Sequence, residues 1–437
     1  MPTCAEAQNR QRAHRGAILH FRSDPGGAAS PDSYEYFEDG LLLVDSGRVV
    51  AVGPAQDLLP GALGRFEVVE HGGRLLLPGF IDTHIHYPQI DVIGSGGRNL
   101  LDWLERYTFK AERKFADAAH ARAAADHFLD ELLRNGTTTA MVYCTVHKAS
   151  AQAFFQAAER RRLRMIAGKI LMDRNCPADL QDTAQTGELE SRELIEEWHG
   201  RERLLYAITP RSALTSSEAQ LASAGRLAQE FPQVSIQTHV SENLEEIEWA
   251  RKLFPHARSY LDVYDHFGLV RERAVYAHCI HFDQTDRQRM AQSGAAGAFC
   301  PSSNLYLGSG LFDIAATDSA GMRFSIATDV GGGTSFSMLR TLGDAYKVSQ
   351  MTGQRLTALR AFYLATLGAA RALGLADRIG SFALGSEADF ISLDLQATPL
   401  LARRMASSPT LEEKLLVLMT LGDDRAIAGT YILGEKS

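Results

Sequence analysis

A chain of 437 residues with 45% hydrophobic and 22% charged side chains carries enough apolar mass for a large folded core, which excludes an intrinsically disordered protein. Its formal net charge of -8 at pH 7 excludes the basic field with which proteins hold nucleic acid, so a small-molecule partner is expected. No apolar run reaches the roughly 18 residues of a membrane span, and the five cysteines, Cys4, Cys144, Cys176, Cys279 and Cys300, are odd in number and never spaced as C-x-x-C, which argues against a disulfide framework and for a reducing, cytoplasmic setting.

The opening MPTCAEAQNRQRAHRG lacks the apolar core of a secretory signal. The stretches ILHFRSD, YEYFEDGLLLVDSGRVVAVGP and FEVVEHGGRLL then read as strands joined by turns, without an amphipathic helix, and Gly40 and Gly47 mark the expected hairpin-like turns. Between Leu75 and Gly333 eight apolar or β-branched runs follow: LLLPGFIDTHIH, GTTTAMVYCT, RMIAGKILMD, RLLYAITPRS, VSIQTHVSEN, RAVYAHCIHF, GAAGAFCPSS and MRFSIATDVGG. Stretches rich in Ala, Leu, Glu and Arg separate them, so the pattern is strand then helix, repeated. Eight such units predict a (β/α)8 TIM-type barrel, about 250 residues in its ordinary form, with reactive groups at the C-terminal ends of the strands. After it, GSFALGSEADFISLDL and AGTYILGEKS return to strand character. The expected organisation is an α/β barrel over residues 76–380 and a small β-sandwich domain formed from residues 1–75 and 381–437, both ends of the chain.

Chemistry-bearing residues gather near the strand ends. His84 and His86, separated by Ile85, share one face of an extended strand and offer two imidazoles to one metal ion, zinc or iron. His239 in QTHVSEN, His278 in YAHCIHF and Asp329 in ATDVGGG end three other predicted strands. Three nitrogens and one carboxylate oxygen leave an ion open to a water molecule, and only one of His239 and His278 is needed as a ligand. Glu242, three residues past His239, is placed to move protons, its alternative being a charge at the start of the helix in SENLEEIEWA. Arg211, past the fourth strand, and Gln89, three residues past His86, together offer a planar donor fork and an amide, which suits the edge of a nucleobase; a surface salt bridge is the alternative for Arg211. For His147, His266 and His281 the reading as ordinary satisfied histidines stays open beside that of a ligand. The long connection over residues 97–115, GRNLLDWLERYTFKAERKF, puts Trp103, Tyr107 and Phe109 at helical spacing, where core or dimer packing competes with a role in covering a ring.

These segments resemble the amidohydrolase superfamily and, within it, the guanine deaminase family, over nearly the whole chain. The resemblance is carried by PGFIDTHIHYPQ, LLDWLERYTFKAE, LLRNGTTTA, AITPR, THVSEN, AHC, CPSSNLYLGSGLF, TDVGGGTSFSML, GSEADF and MTLGDDRAI. It implies one zinc ion per subunit, iron being the other candidate, held by His84, His86, His239 and Asp329, with His278 near the bound water. It further implies hydrolysis of guanine to xanthine and ammonia in purine catabolism, with Glu242, His278 and Asp329 catalytic. Glu242 would protonate ring N3 and later assist departure of the amine, and Asp329 would take the proton of the attacking water. Gln89, Arg211, Ser212 and Glu242 fall at positions that contact the purine, Ser212 standing where relatives often carry an aromatic residue. Binuclear relatives bridge their metals with a lysine past strand four; none stands there, and Lys169 lies on the preceding run. A homodimer is implied as well. The competing readings are a deaminase or chlorohydrolase of another amino-heterocycle, such as cytosine, 8-oxoguanine or a triazine, and a noncatalytic relative, against which every ligand position is filled.

Overall fold

The computed structural model describes residues 11–437 apart from Arg98; Cys4 and the rest of the opening stretch to residue 10 lie outside the described residues. Eight strands form the barrel wall: Phe80–His86, Thr137–Tyr143, Arg164–Gly168, Leu205–Pro210, Ser235–Val240, Ala274–His278, Ala296–Phe299 and Arg323–Ile326. Each pairs in parallel with the next. The wall is closed by backbone bonds from Asp329 N to His84 O (3.0 Å) and from His86 N to Val330 O (2.8 Å), beside a Thr83–Ser325 hydroxyl contact of 2.8 Å. The first two strands, FIDTHIH and TTTAMVY, are buried at every position, as parallel strands covered on both faces must be, so their polar members Asp82, Thr83, His84, His86, Thr137, Thr138 and Thr139 are buried as well.

Alternation decides what lies inside. Met141, Ile166, Ala207, Val275 and Ala298 pack with Ile81 in an inner cluster sealed by Leu373, Leu375 and Ile379. Their neighbours Ala140, Val142, Met165, Ala167, Tyr206 and Ile208 belong to the larger core against the helices. On the first strand Ile81 is inner but Ile85, four residues on, is outer, because the register with the second strand slips between Asp82 and Ile85. A bulge of this kind reverses the alternation beyond it. Here it turns His84 and His86 inward and Ile85 outward.

A second sheet of seven strands draws on both ends of the chain. Its order is Glu435–Lys436, Ile427–Ile432, Phe390–Leu393, Glu67–Pro78, Arg12–Phe21, Tyr34–Asp45 and Arg48–Pro54. Only Arg12–Phe21 and Glu67–Pro78 run parallel. The run LLLPGFIDTHIH divides at Gly79, its first part belonging to this sheet and its second to the barrel; a Cβ at Gly79 would overlap Thr138 Oγ1.

Two expectations for this region are corrected. Gly47, with φ of 76°, does sit in the turn before Arg48, but Gly40 lies inside a strand, opposite Gly16 and Pro54. A side chain there would come within 2.8 Å of Ile18 Cδ1, so the glycine answers a close approach rather than a turn. An eight-residue helix, Ala55–Ala62, also interrupts the strands, and its Leu58 and Leu59 pack on a cluster containing Ala13, Leu41 and Leu43. Among the described residues no helix is long and apolar enough to cross a membrane.

Candidate active site

The C-terminal ends of the strands bring four predicted residues together. His86 Nε2 stands 3.3 Å from His84 Nε2 and 3.2 Å from His239 Nε2, and Asp329 Oδ1 lies 3.1 Å from His84 Nε2 and 3.4 Å from His86 Nε2. The Nδ1 of His239 is 2.7 Å from the Arg211 carbonyl oxygen. A carbonyl only accepts, so Nδ1 carries the hydrogen and the bare Nε2 faces the cluster. Burial above all, then neighbouring His84, holds His86 down to about 3 and His239 well below the ordinary range. Both rings are therefore neutral. Burial works against the charge of Asp329, yet the charge and hydrogen bond of His84, then His86, keep its carboxyl well below the usual carboxylate range.

Imidazole nitrogens gathered around one carboxylate have no reason to converge on one another, and a cation supplies it. Ligand atoms about 2.0–2.1 Å from a tetrahedral ion stand about 3.3 Å apart, and the pairs His84–His86, His86–His239, His84–Asp329 and His86–Asp329 show that spacing. Cys300 also falls within reach of His84 and Asp329. Its thiol is pushed well above the ordinary range by burial, then by Asp329, and it donates to Ala298 O at 3.3 Å; it is not poised as a thiolate ligand.

His278 takes a different place. Ala274 and Tyr276 of its strand are outer residues and Val275 is inner, so strict alternation would send His278 outward. Left-handed backbone at His278 and Cys279, φ 73° and 52°, turns the ring into the site instead. Such conformations are held at functional positions by their surroundings. Its Nδ1 lies 2.9 Å from Asn304 Oδ1. Nε2 is buried without a hydrogen-bond partner among the described residues, 3.3 Å from Glu242 Oε2 and 3.9 Å from Asp329 Oδ2.

Glu242 sits just past its strand, after a left-handed Ser241 with φ of 49°. The helix Leu244–Leu253 begins after it with Asn243 as cap and Glu246 completing a capping box, and Glu246 Oε1 also accepts from Glu242 N at 2.6 Å. Asn243, not Glu242, is therefore the cap of that helix, and Glu242 stands one residue ahead of it. Burial, then the Asp329 charge, raises Glu242 to about 8. Ser309 Oγ donates to its Oε1 at 3.0 Å, leaving Oε2 toward His278.

The cluster opens into a cavity of about 510 Å³ whose walls include Gln89, Arg211, Ser212, Phe109, Trp103 and Leu214. That is room for a flat ring system. Ser212 Oγ is 3.2 Å from Thr215 Oγ1. Arg211 is buried, so the surface ion pair considered for it gives way to a buried one, with Glu112. Its guanidinium carbon lies 5.5 Å from the centre of the Phe109 ring. Trp103 is in the apolar cluster of Val92, Leu100 and Leu307, with Tyr107 packed on it. The connection that carries these aromatics is helical, α over Leu100–Trp103, π over Leu104–Thr108 and α again over Phe109–Glu112; short π segments are frequent at functional sites.

Lys169 is buried outside the cavity, with Val146 O at 2.6 Å, Asp182 and Glu190 as partners. His281 Nε2 lies 2.9 Å from Ser309 O, and neither His147 nor His266 lines the cavity. Glu112, Asn304 and Ser309 were not singled out from sequence. They lie within LLDWLERYTFKAE and CPSSNLYLGSGLF, but no spacing rule says which polar residue of a connection turns inward.

Comparisons with known proteins agree with this geometry. The sequence pattern of the amidohydrolase family matches residues 75–436. A guanine deaminase of Escherichia coli (strain K12) is 49% identical over 400 residues, which is 92% of this chain and 91% of its own length. The solved structure of E. coli guanine deaminase superposes with a TM-score of 0.95 at 46% identity, covering 98% of this chain and 99% of that one. A guanine deaminase from C. acetobutylicum, solved with guanine bound in its active site, matches with a TM-score of 0.88 at 26% identity over 98% of this chain and all of its own.

Proposed function

The chain belongs to the metal-dependent amidohydrolase family, and we propose that it hydrolyses the exocyclic C–N bond of guanine, releasing ammonia and xanthine. One observation carries the reading: the metal-fitting cluster, the raised acid Glu242 and the pair Gln89–Arg211 line the same cavity. His84, His86, His239 and Asp329 would hold one ion, and zinc suits a site of three imidazoles and one carboxylate, with iron as the other metal that accepts it. A divalent ion there supplies Lewis acidity and makes water nucleophilic near neutral pH.

The rest falls to the chain's own groups. Gln89 and Arg211 grip the base edge and orient C2 toward the cluster. Burial keeps Glu242 inclined to hold a proton, so its Oε2 can give one to ring N3 as C2 becomes tetrahedral. Asp329, held anionic, accepts the proton of the attacking water, and with Glu242 returns protons to the departing amine. One water is taken up and one ammonia is released, so the step balances as guanine + H2O → xanthine + NH3. Phe109, Trp103 and Leu214 exclude water from the ring faces. His278, with Nδ1 tied to Asn304, points Nε2 between the two carboxylates and orients the water.

The homodimer and the cytoplasmic setting expected from the family resemblance are part of the proposal. Free thiols at Cys144, Cys176, Cys279 and Cys300 agree with a reducing compartment, and sedimentation of the purified chain tests the dimer. The activity is tested by ammonia release and xanthine formation from guanine, run beside cytosine, 8-oxoguanine and an aminotriazine, with elemental analysis of the same preparation. Turnover of another heterocycle in place of guanine would refute the reading.

A further inference from the structure

We propose that Glu112 is a positioning residue that fixes the hydrogen-bonding polarity of the base-reading wall, so that the cavity selects a lactam edge, N–H beside C=O, over an amidine edge. The inference rests on the guanine reading of the same site. Glu112 is 1% exposed and lies at the end of the helical connection, 23 residues from Gln89 and 99 from Arg211, the two residues it organises. Gln89 Nε2 donates to its Oε1 at 3.0 Å. Arg211 Nη1 donates to Oε1 at 2.8 Å and to Oε2 at 2.7 Å.

The consequence follows from what each group can do. A side-chain amide has two nearly isosteric orientations that exchange donor and acceptor. An ionised carboxylate accepts only, so Glu112 admits just the orientation that turns the Gln89 NH2 toward itself and offers the amide oxygen to a ligand. Arg211 uses one nitrogen on Glu112, and its Nε and Nη2 form no hydrogen bond with the described residues. The wall therefore presents an acceptor and fixed donors. A lactam places an N–H and a carbonyl oxygen side by side and matches both, whereas the amidine edge of an adenine-type base reverses the pattern and sets acceptor against acceptor and donor against donor. Buried polar groups left unpaired in that way are the strong source of discrimination in such sites. The pairing also neutralises the guanidinium, so the wall reads shape and polarity rather than attracting anions.

Two non-reacting inhibitors isolate the edge. Hypoxanthine carries the lactam edge and adenine the amidine edge, and both lack the amine at C2. In the parent enzyme hypoxanthine is expected to inhibit guanine turnover at a lower concentration than adenine, by a factor of about ten or more. In Glu112→Gln, whose neutral amide accepts either orientation of Gln89, the ratio of the two inhibition constants should fall at least about tenfold, with KM for guanine rising more than kcat falls. A residue needed only for packing would weaken both inhibitors alike. An unchanged ratio in a folded variant overturns the proposal, and so does parent enzyme that binds adenine as well as hypoxanthine, a result that needs no variant. If the parent fails to deaminate guanine, the functional reading falls instead.

Discussion

At the scale of single residues, the proposed mechanism divides the groups that would hold the ion from the groups that would move protons. Glu242 is buried and raised to about 8, while its carboxylate stands apart from the three imidazoles that converge with Asp329. Glu242→Gln keeps the shape and the Ser309 contact but removes the transferable proton. It should lower kcat by about 10²–10⁴-fold with metal content unchanged by elemental analysis; loss of metal along with activity would contradict the division. Removal of the ion tests the other half. Dialysis against a chelator should abolish ammonia release, and stoichiometric zinc should restore it, whereas activity that survives with metal absent from elemental analysis would dismiss the His84, His86, His239 and Asp329 assignment. The cluster was legible because its members end separate predicted strands. Glu112, Asn304 and Ser309 were not, because each reaches its partner from a connection between strands, where spacing does not say which polar side chain turns inward.

At the scale of elements, the eight barrel strands were readable from their short apolar or β-branched runs, since strands buried on both faces show no clean polar alternation. What the runs could not show is where alternation breaks. The slip at Asp82–Ile85 and the left-handed turns at His278 and Ser241 depend on the neighbouring strand, and those breaks aim the functional side chains. Gly40 was misread for the same reason: a glycine that admits Ile18 looks like a turn until its partner strand is known. Gly168 offers a test of how tightly the wall is packed. It ends the third strand, and a Cβ there would overlap the Ala207 carbonyl oxygen and Thr209 Oγ1 on the fourth. A backbone oxygen cannot swing aside as a flexible side chain can. Gly168→Ala should therefore cost about 3 kcal/mol, the upper part of the usual overpacking range, and lower Tm by about 6 °C at about 2 °C per kcal/mol in a chain of this length. A Tm within a degree of the parent would show that the wall yields there.

At the scale of the whole molecule, the chemistry occupies one end of the barrel, and the opposite end is where the terminal sheet is fastened. Arg164 opens the third strand and Arg203 precedes the fourth, and both reach Glu387, which leads into the sheet strand Phe390–Leu393. Arg164 Nε is 2.6 Å and Arg203 Nη2 is 2.6 Å from Glu387 Oε2, and Arg203 also pairs with Asp389. Burial opposes the charge on Glu387, but the Arg164 hydrogen bond, then the Arg203 charge, outweigh it and hold the carboxyl down to about 2 from the ordinary 4.5. The sign follows from the depressed value. Below pH 4.5 the unfolded chain binds a proton that the folded chain refuses, so the pair's contribution is whole above 4.5 and fades as pH falls toward 2. A shift of this size corresponds to about 3 kcal/mol at neutral pH, of which about 1.4 kcal/mol is gone by pH 3.5. Glu387→Gln leaves two buried guanidinium groups facing a neutral amide and should destabilise the chain by about 3 kcal/mol at pH 7. Denaturant unfolding of parent and variant at the two pH values should show the gap between them narrowing by about 1.4 kcal/mol at pH 3.5. The variant's kcat at pH 7 should match the parent's, because Glu387 lies at the far end of the barrel from the cavity. A gap equal at both pH values would mean that Glu387 contributes by shape alone and that the charge does not clamp the sheet to the barrel.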